Sequence, residues 1–95
     1  MDEVRVSVII PAYQAAGTIG RALRSAALQT LSPLEIIVVD DGSDDGTAEV
    51  AQSMRKDLEG IHLIVFRQEN LGAGAARNRA IIESSGSLLA FLDAD

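Results

Sequence analysis

The stretch Ile36–Thr47, with the sequence IIVVDDGSDDGT, is the key to the fold of this 95-residue chain. Four β-branched apolar residues lead directly into two aspartates and then into a turn that contains two glycines. A short apolar run bounded by turn residues is typical of a strand that is buried on both faces. In open parallel α/β sheets, ligands bind beyond the carboxyl ends of the strands. The aspartates of this stretch therefore lie where a ligand site is expected.

The segments on either side of this stretch alternate between strand and helix patterns. Strands are predicted at residues 4–10, 35–40, 61–67 and 88–92, helices over about 19–27, 47–58 and 75–83, and a return loop at 29–34. We expect Pro11 to end the first strand, because proline has no amide donor. We expect Thr18 to cap the first helix, and Ser43 or Thr47 to cap the second.

This β-α-β-α-β-α-β pattern, with right-handed crossovers, predicts an α/β fold with a doubly wound, mostly parallel four-stranded sheet and three helices. If the fourth strand returns beside the first, the strand order is 3-2-1-4. The loops after strands one and four then meet at the switch point, with the loop after strand two one strand away.

Composition restricts the classes of function. A formal net charge of −6 argues against a nucleic-acid groove, because phosphate binding relies on clustered Lys and Arg. The chain has no cysteine, its N-terminus lacks the pattern of a signal peptide, and no apolar run approaches the ~20 residues of a membrane span. These features predict a cytoplasmic domain that does not bind nucleic acid; a membrane association of a longer parent enzyme is compatible with them.

The motif Asp93-Ala94-Asp95 places two carboxylates on alternate residues at the end of the fourth strand. Both carboxylates can point to one side, and such a pair suits Mg²⁺ or Mn²⁺ shared with substrate phosphates. The alternative is a solvated turn. Because a second acidic strand end is predicted nearby, we favour the metal site.

The acidic turn after the second strand allows three interpretations. It can be a solvated turn in which an aspartate caps the next helix. It can be a calcium loop, but Gln52 stands where that loop needs a bidentate glutamate, and a strand precedes it where a helix is required. It can be the nucleophile strand of an aspartyl phosphatase with Asp40 attacking, but Gly42 stands where that motif has a second acid.

Three other side chains are candidates on position alone. Tyr13, the only tyrosine, lies in a loop at the predicted crevice, where its ring either packs against a base or covers the first helix. One of Arg77 and Arg79 can clamp a phosphate or a ring, while the other lies on the solvated helix face. His62 has no second His or Cys nearby and is assigned no role.

Four segments resemble the motifs of glycosyltransferase family 2, in the family's order and over essentially the whole chain. They are VSVIIPAY at 6–13, EIIVVDDGSDDGT at 35–47, Asn-Leu-Gly with Ala-Arg-Asn within 70–78, and LAFLDAD at 89–95. The resemblance implies a GT-A fold, of which residues 1–95 are the Rossmann-like half that binds a nucleotide-diphospho-sugar. It also implies metal-dependent transfer of a sugar from a UDP- or GDP-linked donor to an acceptor hydroxyl, with inversion.

The resemblance further assigns the residues of a nucleotide-sugar site: Pro11, Ala12, Tyr13, Asp40, Asp41, Arg77 and Asp93. Asp41 would accept a hydrogen bond from the ring N–H of the base, with Asp40 beside it. Asp93 and Asp95 would hold a divalent cation, Mn or Mg.

In this family the general base and the acceptor site lie after the Asp-x-Asp motif, where the present sequence ends. We therefore assign no catalytic residue, interpret the chain as the donor-binding half of a transferase, and expect no turnover from these 95 residues. A sugar, lipid or glycan acceptor would contact a missing half of the enzyme. The alternative function is a non-catalytic structural or assembly domain that self-associates as a homo-oligomer through the exposed edge of the fourth strand.

Overall fold

The computed structural model describes residues 4–28 and 33–95, and within them one parallel sheet dominates the structure. Its strands are β1 (Val6–Ala12), β2 (Glu35–Asp40), β3 (His62–Arg67) and β4 (Leu88–Phe91). The strand order is β3-β2-β1-β4, and every neighbouring pair is parallel. The predicted doubly wound sheet of order 3-2-1-4 is thereby confirmed.

The crossover connections contain three α-helices in the described part of the chain. They are α1 (Ile19–Ala27), α2 (Thr47–Ser53), which a short 3₁₀ turn at Arg55–Asp57 follows, and α3 (Ala73–Glu83). None of these helices is long and apolar enough to cross a membrane. The helices α2 and α3 differ from the prediction, because α2 stops at Ser53 and α3 begins two residues earlier than expected. Part of the predicted return loop, residues 29–32, lies outside the described residues.

The two central strands form the floor of the core. Every residue of β2 is buried, as the apolar run predicted, and successive side chains enter opposite faces of the sheet. Val8 and Ile36 lie in the cluster that includes residues of α1 and α2, whereas Ile9 and Ile37 pack with the small Ala76 and Ala80 of α3. Each fully buried Val or Ile side chain contributes about 1.5–3 kcal/mol to the free energy of folding.

Pro11 does not end β1, so that prediction is wrong. The strand continues to Ala12, whose carbonyl accepts a hydrogen bond of 2.8 Å from the N–H of Asp41 on the β2 side. Backbone groups of successive strand residues alternate in direction, so the nitrogen of Pro11 faces the β4 side. There β1 is paired with β4 only as far as Ile9 and Phe91. The missing N–H of the proline therefore removes no hydrogen bond from the sheet.

Thr18 occupies the N-cap position of α1 as predicted, but without a side-chain capping bond, and the predicted cap of α2 by Ser43 or Thr47 is wrong. The hydroxyl of Thr18 donates to the carbonyl of Ala15 at 3.4 Å and makes no capping bond to α1. The N-cap of α2 is Gly46, in the left-handed conformation with φ of 89°, where a side chain is strained. The carboxylate of Asp45 accepts the N–H of Thr47 at the start of this helix.

Candidate functional site

The carboxyl edge of the sheet opens into a crevice of about 450 Å³, a volume in the range of small-molecule sites. Segments after all four strands contribute to its walls. Seven predicted site residues line it: Pro11, Ala12, Tyr13, Asp41, Arg77, Asp93 and Asp95. Asn70 and Gly72 also line it; they belong to the Asn-Leu-Gly motif but were assigned no role. Gln14 lines it as well, and no pattern in the sequence singled it out. The predicted convergence of separate loops at the switch point is therefore present in the structure.

Asp41 is the most strongly bonded acid in this crevice. Its Oδ1 atom accepts hydrogen bonds from Gln68 Nε2 and Leu71 N, both at 2.8 Å, and its Oδ2 atom accepts from Gly72 N at 2.9 Å. Burial raises the pKa of Asp41, but these three hydrogen bonds together outweigh it, and the pKa lies below its ordinary value. The residue is a carboxylate at neutral pH, and it fixes the loop that leads into α3.

Asp40 is the predicted site residue that does not line the crevice. Its side chain is 1% exposed; Oδ1 accepts the N–H of Ser43 at 3.1 Å, and Oδ2 lies 3.6 Å from Nε of Arg67. Arg67 in turn donates to the carbonyl of Ser43 at 3.1 Å. Asp40 and Arg67 thus hold Ser43 from both sides, which supports a positioning role for Asp40 in this structure.

The loop after β1 is held by side chains of the loop after β2 and of Thr47, the first residue of α2. Three successive backbone N–H groups of the first loop, at residues 14, 15 and 16, each donate to one of these side chains. The acceptors are Ser43 Oγ at 2.8 Å, Thr47 Oγ1 at 2.9 Å and Asp45 Oδ2 at 3.1 Å. A return bond runs from Asp44 N to Oε1 of Gln14 at 2.8 Å.

This clamp has two consequences for the site. Gln14 adopts a left-handed conformation with φ of 51°, which is uncommon outside glycine, and the clamp holds it there. The clamp also sets the position of Tyr13, the preceding residue, whose ring is 55% exposed at the crevice wall. The alternate spacing of three polar residues in Ser-Asp-Asp-Gly-Thr is the sequence signal that could have identified this clamp.

The two arginines of α3 have different environments. Arg77 lines the crevice and forms no ion pair with any residue of 4–28 or 33–95. Arg79 lies over the ring of Phe66, 4.6 Å from its centroid, and pairs with Glu83 at 3.9 Å. Arg77 is therefore the cation that is available to an anionic ligand. His62 lies exposed at the start of β3, at the opposite edge of the sheet.

Asp93 and Asp95 lie in the crevice wall, on either side of the buried Ala94. Among the residues that the structure describes, no group of three or more His, Cys, Asp or Glu side chains is placed to hold a metal ion. Two carboxylates supply hard oxygen ligands, which fit Mg²⁺ or Mn²⁺ provided that a ligand and water complete the coordination. The donor set thus suits a cation that binds together with a phosphate-containing molecule.

A doubly wound sheet with acidic loops that meet beyond its carboxyl edge is an architecture that this chain shares with GT-A glycosyltransferases. The mannosyltransferase PcManGT of Pyrobaculum calidifontis, solved with GDP-Man and Mn²⁺, matches with a TM-score of 0.86 and 28% identity, over 99% of this chain and 28% of that one. S. aureus TarS in complex with UDP matches with a TM-score of 0.83 and 33% identity, over 96% of this chain and 27% of that one.

Sequence comparison identifies the family within this fold. Residues 7–95 match the model of glycosyl transferase family 2, and the chain belongs to that family. Glycosyltransferase AglE of Haloferax volcanii is 44% identical over 92 residues, which cover 95% of this chain and 30% of that protein. The chain thus spans less than a third of the length of this relative.

Proposed function

We propose that the chain forms the donor site of a metal-dependent, inverting glycosyltransferase that transfers a sugar from a UDP- or GDP-sugar to an acceptor hydroxyl. The observation that carries the proposal is the convergence of Asp41, Arg77 and the Asp93–Asp95 pair on one crevice beside Tyr13. A carboxylate for a base, an aromatic ring, a cation and a metal-binding pair are the groups that a nucleotide-diphospho-sugar requires. Pro11 and Ala12 form the floor beneath the nucleoside.

The state of the first loop supports a requirement for a metal. In dinucleotide-binding folds the loop after the first strand offers backbone N–H groups to the phosphates. Here the N–H groups of residues 14, 15 and 16 are already bonded to the chain's own side chains. The negative charge of a diphosphate must therefore be neutralised by other groups, and the crevice offers Arg77 and a cation held by Asp93 and Asp95.

The roles of the chain's own residues follow from this arrangement. Asp41 accepts the ring N–H of the base, Tyr13 covers the base or the ribose, and Arg77 binds the diphosphate. A divalent cation held by Asp93 and Asp95 would neutralise the charge that develops on the leaving diphosphate. An inverting displacement also needs a general base to take the acceptor proton. We propose that this base and the acceptor site belong to the further length that the relatives possess.

The proposal is tested by calorimetric titration of the purified protein with UDP and GDP, each with and without Mn²⁺. We expect saturable binding that Mn²⁺ tightens. In Asp93→Asn or Asp95→Asn, the increase in affinity that Mn²⁺ produces should be smaller by at least about tenfold. Asp44→Asn is the matched control, because Asp44 is exposed and outside the crevice; it should behave as the unaltered protein. Binding of neither nucleotide, or equal loss in the control, would overturn the proposal.

Exposed apolar side chains on β4 favour a second function, self-association. Leu88 is 53% and Phe91 54% exposed on the strand at one edge of the described sheet, and an uncovered edge can pair with another copy. Sedimentation velocity at several protein concentrations tests this. We expect a concentration-dependent dimer that Phe91→Lys abolishes, and a monomer at every concentration would exclude it.

A further inference from the structure

The hydrogen bonds of Asp41 leave this carboxylate with little capacity for a ligand. A carboxylate offers about four acceptor positions, two on each oxygen. Counted over residues 4–28 and 33–95, Oδ1 already accepts from Gln68 and Leu71, and Oδ2 accepts from Gly72. Oδ1 is therefore full, while Oδ2 keeps one position.

The remaining position is accessible only to a molecule in the crevice. Asp41 is 5% exposed, and it belongs to the crevice wall. Two of its three donors are the backbone N–H groups of Leu71 and Gly72, directly before α3, and a backbone donor has no side-chain rotation by which to make room. A base that reaches this carboxylate therefore meets one acceptor atom with one vacancy.

On the basis of the proposed function, we infer that the site selects the diphosphate of a base with a single ring N–H, as in uridine, over that of guanosine. Uracil presents one ring N–H between two carbonyls, and this single donor matches the single vacancy on Oδ2; thymine presents the same edge. Guanine presents two adjacent donors, the ring N–H and the amino group, which a free carboxylate accepts with one oxygen each. With Oδ1 occupied, the second donor of guanine is desolvated without a partner.

The unprotonated state of Asp41 also disfavours bases that present a ring acceptor. Cytosine and adenine direct a bare ring nitrogen at the position where uracil directs its N–H. That lone pair would face the carboxylate, whose pKa is held below its ordinary value so that it stays unprotonated at neutral pH. Asn70 lies in the same wall and carries an amide donor of the kind that the uracil carbonyls require.

The first test uses the unaltered protein and a series of nucleotides in the presence of Mn²⁺: UDP, GDP, IDP and CDP. We expect UDP to bind roughly ten- to a hundredfold more tightly than GDP or CDP, the effect of one hydrogen bond to a charged group. IDP should bind more tightly than GDP, because inosine keeps the size of a purine but lacks the amino group. Equal affinities for IDP and GDP would show that the site selects bases by size and not by the number of donors, which would overturn the inference. GDP binding as tightly as UDP would overturn it directly.

The second test alters the number of hydrogen bonds that Asp41 can accept from a ligand. Gln68→Met keeps a side chain of similar length but removes the amide donor, so it frees one position on Oδ1. The ratio of GDP to UDP affinity should rise about tenfold in this variant. Gln52→Met is the matched control on the exposed face of α2 and should leave the ratio unchanged.

These outcomes separate the inference from the proposed function. A folded Gln68→Met variant with an unchanged ratio overturns the inference, while nucleotide binding itself upholds the donor site. Absence of binding by all four nucleotides overturns both. If Gln68→Met does not fold, the comparison of IDP with GDP on the unaltered protein still tests the inference about base selection.

Discussion

Replacing Thr47 by valine removes one hydroxyl from the clamp between the first two loops and leaves the shape of the side chain nearly unchanged. Thr47 is fully buried; its Oγ1 atom accepts the N–H of Ala15 at 2.9 Å and donates to Oδ1 of Asp45. The valine methyl can do neither. The N–H of Ala15, in a residue that is 5% exposed, is left without its partner.

The structure sets the size of this effect. Leaving a buried donor unsatisfied costs about 1–3 kcal/mol. The bond to Asp45 is left out of this figure, because Asp45 is exposed and solvent screens its charge. In a domain of this size, 1 kcal/mol corresponds to about 4–8 °C in melting temperature. Thr47→Val should therefore lower the free energy of unfolding by about 1–3 kcal/mol and the melting temperature by roughly 5–20 °C.

Urea and thermal denaturation, followed by far-UV circular dichroism, measure this change. Thr18→Val is the matched control, because the hydroxyl of Thr18 makes only a 3.4 Å bond to a carbonyl and does not cap α1. It should lower the free energy of unfolding by less than about 0.5 kcal/mol. Equal stability of Thr47→Val and the unaltered protein, or equal losses in the two variants, would refute the idea that the clamp holds the first loop.

Two further predictions concern the opposite edge of the sheet. In Gly86→Ala the new Cβ would lie 2.5 Å from Oγ of Ser7 and 2.8 Å from its backbone nitrogen, so we expect a loss of about 1–3 kcal/mol in urea denaturation; Gly17→Ala meets nothing within 4 Å and serves as the control. Burial raises the pKa of Glu35, but hydrogen bonds from Ser7 and Ser85 outweigh it and keep the pKa below its ordinary value of 4.5. A carboxyl with a lowered folded-state pKa stabilises the fold above that ordinary value and loses this contribution as the pH falls. The free energy of unfolding should therefore fall more steeply below pH 4.5 in the unaltered protein than in Glu35→Gln, and parallel slopes would contradict this.

The sheet could be predicted because its signals are local. The apolar run before Asp40 gave β2 with correct ends, and the alternation of strand and helix patterns gave the strand order. Pro11 shows where local signals fail. Whether its missing N–H matters depends on which neighbour it faces and on where β4 ends, and neither is visible in the residues around it.

The site could be predicted only to the level of its loops. Asp40 and Asp41 follow the same apolar run, yet Asp40 forms an ion pair with Arg67 outside the crevice and Asp41 is part of the crevice wall. Successive residues at a strand end point to opposite sides, and the pattern alone does not reveal which side carries the ligand. Likewise, hydroxyls such as those of Ser43 and Thr47 suggest local caps, but their partners lie in a loop about 30 positions earlier in the chain.

Paramagnetic NMR with UDP and Mn²⁺ tests the central claim most directly, with Mg²⁺ as the diamagnetic reference. If Asp93 and Asp95 hold a cation together with the nucleotide, Mn²⁺ and UDP together should broaden the backbone amide signals of Tyr13, Arg77 and Ala94 around the crevice. The amide signals of Ser85 and Gly86, at the opposite edge of the sheet, should stay sharp. Broadening centred on that opposite edge, or equal broadening throughout the chain, would contradict a donor site at the carboxyl edge.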